Sequence, residues 1–244
     1  MTEPTRNKRN PLNLSPDQYS CNWRSLKQKL ESESKTRPDT YARVANRKSK
    51  NRRKRAKSVD SKQSEALSSS AAAELTKVIA IDCEYVGTGL EGKDDMLARV
   101  SVVNLHGHCV YDKYVTPTDK VTDYRTHVSG VRAGHLKQGE PFAVVQQEVN
   151  QLMTGRVIVG HALHNDFKVL RLSHPRRLIR DTARFANFRQ MVKQKKGTPS
   201  LRKLAHEILG VQIQLSEHDS VQDAKIAMNL YKMHRKAWEG SLRK

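Results

Sequence analysis

The sequence has few cysteines, no long apolar run and a shortage of acidic side chains. Its cysteines, Cys21, Cys83 and Cys109, are three in 244 residues. They are too widely spaced for a disulfide framework or a zinc site, so a reducing, intracellular compartment is expected. No apolar stretch approaches the ~20 residues of a membrane-spanning helix. The first ten residues are polar and charged, and we expect no secretory signal there.

The charge is unevenly distributed along the chain. It carries 45 Lys+Arg against 25 Asp+Glu, a formal net charge of +20, and only 36% hydrophobic residues. Residues 1–77 hold 19 of the basic and 8 of the acidic side chains, leaving 26 and 17 for residues 78–244. This pattern predicts a disordered basic arm at 1–76, one compact domain at 77–239 and a short tail at 240–244. The positive charge favours a polyanionic partner, usually nucleic acid.

Two features of the arm carry a prediction. Residues 46–57, NRKSKNRRKRAK, include eight basic side chains in twelve, which is typical of a nuclear localisation signal or a nucleic-acid patch. We expect the protein to be located in the nucleus, and within it in the nucleolus. The cluster would bind import machinery and the phosphates of nucleic acid. The alternative is a solvated tail with neither role. Apolar residues at helical spacing predict a short amphipathic helix at 16–31, which either docks a partner or has no role.

The compact domain alternates strand and helix patterns. Antiparallel strands come first, and strands then alternate with helices, which indicates an α/β fold of three layers with a mixed five-stranded sheet flanked by helices. The predicted strands are 78–81, 97–105, 109–115, 156–160 and 178–180. The predicted helices are 141–153, 166–172, 200–209 and 220–238.

A glycine-rich string follows the first strand and invites a nucleotide-binding interpretation. Gly87 to Gly92 matches GxGxxG, and with Lys93 it matches the spacing of a phosphate loop. Both motifs need the loop to open a helix, whose amino end faces the phosphates. Here a β-branched strand follows instead, and Asp94 stands where a phosphate loop needs Ser or Thr. The glycines therefore predict a turn between strands, and a nucleotide-binding module is the least favoured alternative.

Three carboxylates follow predicted strands. Asp82 and Glu84 are two residues apart at the end of the first strand, which places both side chains on one face. They could be surface charges at a strand end, but the four residues before them are apolar, and unpaired like charges are costly in buried surroundings. Asp166 lies in the first turn of a predicted helix after 156–160. The helix dipole alone could explain it, but this helix begins at the same sheet edge.

A histidine and a fourth carboxylate precede and begin the last helix. Ser220 with Asp223 fits a helix cap with an acid three residues on, which is the bland interpretation. The alternative is that Asp223 points from the first turn into a site with His218 on the loop before it, a residue type that can act as a general base. Four carboxylates suit Mg²⁺ or Mn²⁺ rather than zinc. Two such ions about 4 Å apart can promote phosphodiester hydrolysis.

Taken in order, Asp82-x-Glu84, Asp166 and His218-x(4)-Asp223 resemble the DEDDh family of 3′→5′ exonucleases, which have a ribonuclease-H-like fold. The strings IDCEYVGTG, VTDYRTHVSGV, VGHALHNDFKVL and HDSVQDA are similar to those of the RNA exonuclease 4 group. The likeness covers essentially residues 78–238 and does not extend to the arm.

The resemblance implies a role for each matching residue. Asp82, Glu84, Asp166 and Asp223 would hold two Mg²⁺ or Mn²⁺ ions, and His218 would take a proton from the attacking water. Asp181, in IRDT, is assigned to support rather than to metal binding. The terminal nucleotide would be contacted by two segments, containing Tyr85, Val86 and Gly87 and then Thr126, Ser129, Gly130 and Val131.

The function expected from this resemblance is a metal-dependent 3′→5′ exoribonuclease. It would act as a monomer on single-stranded RNA, release nucleoside 5′-monophosphates and serve in ribosomal RNA processing. Two alternatives stay open. One is an exonuclease of the same fold acting on single-stranded DNA, since recognition of the 2′-hydroxyl cannot be deduced from the sequence. The other is a catalytically idle RNA-binding factor in ribosome assembly.

Overall fold

The computed structural model describes residues 74–242, a mixed sheet with helices on both faces. The basic cluster at 46–57 and the helix expected at 16–31 lie outside the described residues. The strands are β1 (Val78–Thr88), β2 (Asp94–Asn104), β3 (Cys109–Thr116), β4 (Val121–Asp123), β5 (Glu140–Pro141), β6 (Val157–Gly160) and β7 (Ile179–Asp181). The helices are α1 (Thr126–Ser129), α2 (Ala133–Lys137), α3 (Phe142–Met153), α4 (His164–Leu170), α5 (Ala186–Met191), α6 (Leu201–Leu204, continued by a π-helical turn at Ala205–Leu209) and α7 (Ser220–Ser241).

Strand β1 is at the centre of the sheet. The strand order is β5-β3-β2-β1-β6-β7, and β4 pairs with β1 off this path. β1, β2 and β3 are antiparallel neighbours, whereas β6 runs parallel to β1 and β7 parallel to β6. The continuous apolar start of β1 fits a strand covered on both faces. The predicted five-stranded mixed sheet is confirmed, and the two additional strands, β4 and β5, are too short to leave an alternating pattern in the sequence.

Alternate residues of β1 supply the two halves of the core. Ile79 and Ile81 pack on one face with α3 and α4, while Val78 and Ala80 pack on the other face with α5, α6 and α7. The predicted three layers are therefore present. Within residues 74–242, no helix is long and apolar enough to cross a membrane.

The helices differ from the predictions mainly where they are short. α1, α2 and α5 have four to six residues each, fewer than two turns, so they leave little periodicity to detect. The last helix continues to Ser241, past the predicted end near Trp238. The helix expected at 200–209 changes to π-helical geometry from Ala205 and ends at Gly210, whose φ is 69°.

The glycine-rich segment is a turn, as predicted. β1 and β2 are antiparallel and pair through Thr88 and Asp94, and only a 3₁₀ turn at Leu90–Gly92 separates them. A side chain at Gly87 would place its Cβ 2.5 Å from the carbonyl oxygen of Gly92. The glycines therefore permit a close backbone approach, and the segment does not open a helix as a phosphate loop would.

Candidate active site

Two of the predicted carboxylates, Asp82 and Glu84, lie on the part of β1 that follows its pairing with β6. β6 pairs with β1 only over Val78 to Ala80, so no β6 residue is available to the later residues of β1. The backbone N–H of Cys83 donates instead to Asp166 Oδ1, at 2.9 Å. Asp166 lies in the first turn of α4, which begins four residues after β6 ends. This hydrogen bond fixes Asp166 beside Asp82 and Glu84.

Helix α7 brings the fourth carboxylate and the histidine. Asp223 is in its first turn and is buried. The side-chain amide of Gln214 donates to Asp223 Oδ2 at 2.7 Å, and Nδ1 of His218 lies 3.7 Å from the same oxygen. The backbone N–H of His218 donates to the carbonyl of Val128 at 2.7 Å, which ties the histidine loop to α1.

The cap of α7 differs from the expected one. Asp219, not Ser220, is the N-cap, and its carboxylate accepts from the N–H of Val221 at 3.2 Å. Ser220 is fully buried, and its hydroxyl pairs with that of Ser101 on β2 at 2.6 Å. The side chain at the predicted cap position therefore attaches the helix to the sheet.

A cavity of about 450 Å³ opens beside the middle of β1, beyond the residues that pair with β6. It is lined by six of the predicted residues: Asp82, Glu84, Tyr85, Ser129, His218 and Asp223. Asp166 lies behind this wall through its bond to Cys83. The structure thus brings together the two carboxylates of β1, the acid of α4 and the histidine and acid of α7, which are separated by up to 141 positions in the sequence.

Burial and mutual repulsion make these carboxylates hard to ionise. Burial raises the pKa of Glu84 to about 8 and that of Asp166 to about 7. Burial also raises the pKa of Asp82 well above its usual value, with further contributions from Asp166 and Asp223. For Asp223 the pKa is likewise raised by burial, against the hydrogen bond from Gln214 that lowers it. A cluster of this kind is typical of a functional site.

The residues present fit a divalent cation. Glu84 Oε1 and Asp223 Oδ1 are buried and have no hydrogen-bond partner, a costly state for a carboxylate unless a cation or proton compensates it. Oxygen donors of this type suit Mg²⁺ or Mn²⁺. Over residues 74–242, no three His, Cys, Asp or Glu side chains already stand in the arrangement of a metal site. Binding an ion here therefore requires adjustment of the carboxylate side chains.

The residues expected to contact a nucleotide have different surroundings. Tyr85, half-buried, and Ser129 line the cavity. Val86 and Val131 are 0% and 1% exposed and pack together in a small apolar cluster, so their side chains serve the core. The remaining three shape the backbone: Gly87 allows the approach of Gly92, Thr126 donates to the carbonyl of Val131 at 2.7 Å, and Gly130 ends α1 with a φ of 65°.

Several lining residues were not anticipated. They are Asp123, Arg125, His161, Leu201 and Gln214, whereas the lining residues His127 and Val128 belong to the segment 126–131 that was expected to contact the nucleotide. Gln214 has a φ of 54°, an uncommon backbone conformation for this residue type that occurs preferentially at functional sites. Burial lowers the pKa of His161, which favours its neutral form. No sequence motif indicates that Gln214 belongs to the site, because its role depends on contact with Asp223.

Asp181, the last residue of β7, is not among the residues that line the cavity. Its Oδ1 accepts from the N–H groups of Ala162 and Ala183, at 2.8 and 3.0 Å. The carboxylate thereby holds the turn between β6 and α4, which agrees with the supporting part expected for it.

The chain is similar in sequence to proteins named RNA exonuclease 4. The human protein named RNA exonuclease 4 is 57% identical over 169 residues, 69% of this chain and 40% of that protein. The Saccharomyces cerevisiae protein of the same name is 46% identical over 173 residues, 71% of this chain and 60% of that one. The chain thus spans about two fifths of the human relative's length.

A solved structure and a family model indicate the same kind of protein as these relatives do. The pseudoubiquitin hydrolase–RNA exonuclease module of Saccharomyces cerevisiae Pan2, solved with AAUUAA RNA, is similar with a TM-score of 0.57 and 35% identity, covering 66% of this chain and 29% of that one. A family model described as exonuclease, of the ribonuclease T type, matches residues 79–231, which is more than half of the chain. Residues of the DEDDh pattern lie within this match. The chain therefore belongs to the exonuclease family.

Proposed function

We propose that the protein is a metal-dependent 3′→5′ exoribonuclease. The observation that carries this function is the convergence of Asp82, Glu84, Asp166, Asp223 and His218 beside the middle of β1 in a chain of the exonuclease family. Relatives named RNA exonuclease 4 and a similar module solved with RNA support RNA as the substrate. Exonucleases of this family generally use divalent metal ions.

Each residue has a part in this reaction. Asp82, Glu84, Asp166 and Asp223 would hold two ions, Mg²⁺ or Mn²⁺. Bound there, such ions supply Lewis-acid stabilisation of the charge that develops on the phosphodiester and the leaving oxygen. His218 takes a proton from the attacking water, and its Nδ1 lies 3.7 Å from Asp223 Oδ2.

The products follow from which bond breaks. The water oxygen bonds to the terminal phosphorus, the 3′-oxygen of the penultimate nucleotide leaves and takes up a proton, and a nucleoside 5′-monophosphate is released. Tyr85 and Ser129 lie on the cavity wall, where they can contact the terminal nucleotide. Stacking of a base on an aromatic side chain is worth about 1–3 kcal/mol and tolerates any sequence.

The test is digestion of a single-stranded RNA labelled at its 5′ end, beside the equivalent DNA, with Mg²⁺, Mn²⁺ or EDTA. We expect a metal-dependent ladder that shortens from the 3′ end of the RNA and is absent in Asp82→Asn. Faster digestion of the DNA would favour the single-stranded DNA exonuclease. No digestion of either strand, with RNA binding intact, would favour the catalytically idle assembly factor.

We also propose a nuclear, nucleolar location and a part in ribosomal RNA processing. The support is the basic cluster at 46–57 together with the net charge of +20. A fluorescent fusion of the full chain should concentrate in nucleoli, and replacement of the eight basic residues by Gln should disperse it. Depletion of the protein should lengthen the 3′ ends of ribosomal RNA precursors, and unchanged ends would refute this role.

A further inference from the structure

The positive charge of the folded region is concentrated in one segment. Residues 182–206 contain seven Lys or Arg and no Asp or Glu, whereas the whole of 78–244 has an excess of only nine, 26 against 17. The rest of that region is therefore nearly balanced, with 19 basic and 17 acidic side chains. The segment spans α5, the loop after it and α6, so these residues form a stretch of the fold with basic but no acidic side chains.

Part of this segment lines a second cavity beside the candidate active site. This cavity, the basic cleft, has a volume of about 410 Å³ and is lined by Ser200, Arg202, Lys203, His206, Gln212 and Leu215. Residues interleaved with these, Leu201 and Gln214, line the active-site cavity. The start of α6 and the segment at 212–215 thus form a wall shared by the two cavities.

The loop at 193–197 lies next to the basic cleft in a defined conformation. Lys203, a lining residue, donates from Nζ to the side-chain oxygen of Gln194 at 2.9 Å. Arg189 donates to the carbonyls of Gln194 and Lys195 at 3.2 and 3.0 Å. The loop is therefore held by hydrogen bonds to its backbone carbonyls, and the hydrogen bonds found among residues 74–242 include none from the side chains of Lys193, Lys195 or Lys196.

Lys203 is 3.8 Å from Glu207, but four other cations of the loop and cleft are available for a ligand. Lys193, Lys195, Lys196 and Arg202 are exposed, and within residues 74–242 no carboxylate oxygen lies within 4.0 Å of their charged groups. By contrast, Arg125 and Arg132 are in ion pairs of 2.8 and 2.6 Å. Exposed cations without a carboxylate partner, one of them lining the cleft and three on the adjacent loop, suit the phosphates of a nucleic-acid backbone.

We propose that the basic cleft and the loop at 193–197 bind the phosphodiester backbone of the RNA strand upstream of the nucleotide being removed. Because this inference rests on the function proposed above, it assigns a path to the same substrate. The strand passes from the active-site cavity across the start of α6 and onto the lysine loop. Leu215, an apolar side chain that is 70% exposed at the cleft, offers a surface for a base or ribose along this path.

The first experiment measures binding without catalysis. Full-length protein with K195E/K196E is compared with wild type and with K232E/K236E, a matched charge reversal at two exposed lysines in the later part of α7. The probe is a fluorescent single-stranded RNA of 20 nucleotides, in EDTA, at several salt concentrations. We expect K195E/K196E to weaken binding at least about tenfold and to make the logarithmic salt slope shallower by about 1.4, the value for two lost single-strand phosphate contacts.

The second experiment separates the surface from the active site. With metal present, the same variants digest the 20-nucleotide RNA and a dinucleotide, which has no phosphates upstream of the bond that is cleaved. We expect K195E/K196E to raise KM about tenfold for the long RNA only, with K232E/K236E near wild type on both substrates. An equal loss on both substrates would place the effect in the active site and overturn the inference.

Other outcomes are equally decisive. Binding of the 20-mer by K195E/K196E equal to that of wild type would refute the path. If wild type digests neither substrate, the proposed function fails, while the binding measurement still decides whether RNA occupies this surface. Loss of binding to an acidic protein partner, with RNA binding unchanged, would reassign the basic cleft to protein recognition.

Discussion

Arg99 on β2 joins the sheet to the residue that caps α7. Its Nη1 donates to Asp219 Oδ1 at 3.0 Å, while Nε and Nη2 hold both carboxylate oxygens of Asp112 at 2.8 Å. Asp219 directly follows His218, and Arg99 is the strand partner of Glu84. One guanidinium therefore fixes the loop of the histidine and lies beside a carboxylate of the candidate site.

Replacement of Arg99 should lower nuclease activity more than replacement of a surface arginine does. In Arg99→Lys the charge remains, but the planar fork that bonds to two carboxylates is lost. We expect kcat to fall about tenfold, equivalent to about 1.4 kcal/mol in the barrier, with the protein still folded by circular dichroism. Arg176→Lys, on an exposed turn, is the control. Wild-type kcat in Arg99→Lys would show that the histidine loop is held without it.

Loss of one carboxylate should abolish digestion but not folding. Asp223→Asn keeps the shape of the side chain while removing its charge, so metal-dependent cleavage should fall at least about a hundredfold. The melting temperature in EDTA should be unchanged or higher, because a buried charge is removed from a repulsive cluster. Asp119→Asn, on an exposed loop, is the matched control, and near-normal cleavage by Asp223→Asn would contradict the site assignment.

The metal-free protein should lose stability as the pH rises. Burial raises the pKa of Glu84 from 4.5 to about 8, so between these values the folded protein keeps a proton that the unfolded chain has released. The free energy of unfolding then falls by up to about 1.4 kcal/mol per pH unit for this proton. Melting temperatures in EDTA at pH 5.5, 6.5 and 8 should decrease, and Mg²⁺ should raise the value most at pH 8. Glu84→Gln should flatten the pH dependence; a slope equal to wild type would exclude Glu84 as its source.

Tyr85 should act through its ring. Tyr85→Ala should raise KM for RNA about tenfold, since loss of one base stack costs about 1–3 kcal/mol, with a smaller effect on kcat. Tyr85→Phe retains the aromatic face and should stay within about twofold of wild type. If Tyr85→Phe were as impaired as Tyr85→Ala, the hydroxyl rather than the ring would be the contact.

The sequence predicted the features that depend on local patterns. The buried start of β1 and the acids that follow it could be identified because a continuous apolar run ends in charge at Asp82. The cap of α7 was misplaced by one residue, since Asp219 and Ser220 are both good cap residues and only the bond of Ser220 to Ser101 distinguishes them.

Features that depend on contacts between residues far apart in the sequence could not be predicted from it. The bond of Arg99 to Asp219 joins residues 120 positions apart, and Gln214 acquires its role only when α7 brings Asp223 beside it. Val86 and Val131 lie next to predicted site residues in the sequence, yet they are buried with Ala98 and Leu136 in a separate apolar cluster, which no spacing in either segment indicates.

Through the hydrogen bond from Cys83, the side chain of Asp166 both binds the backbone of β1 and belongs to the acidic cluster. Removing the Asp166 carboxylate would break this link between α4 and β1 as well as change the acidic cluster, so loss of activity in such a variant would have a structural cause beside any chemical one. Among the hydrogen bonds found between residues 74 and 242, none joins the side chain of Asp82 to the backbone of another element. A form of the protein that binds RNA without cutting it, for trapping substrates from cells, is therefore best made at Asp82.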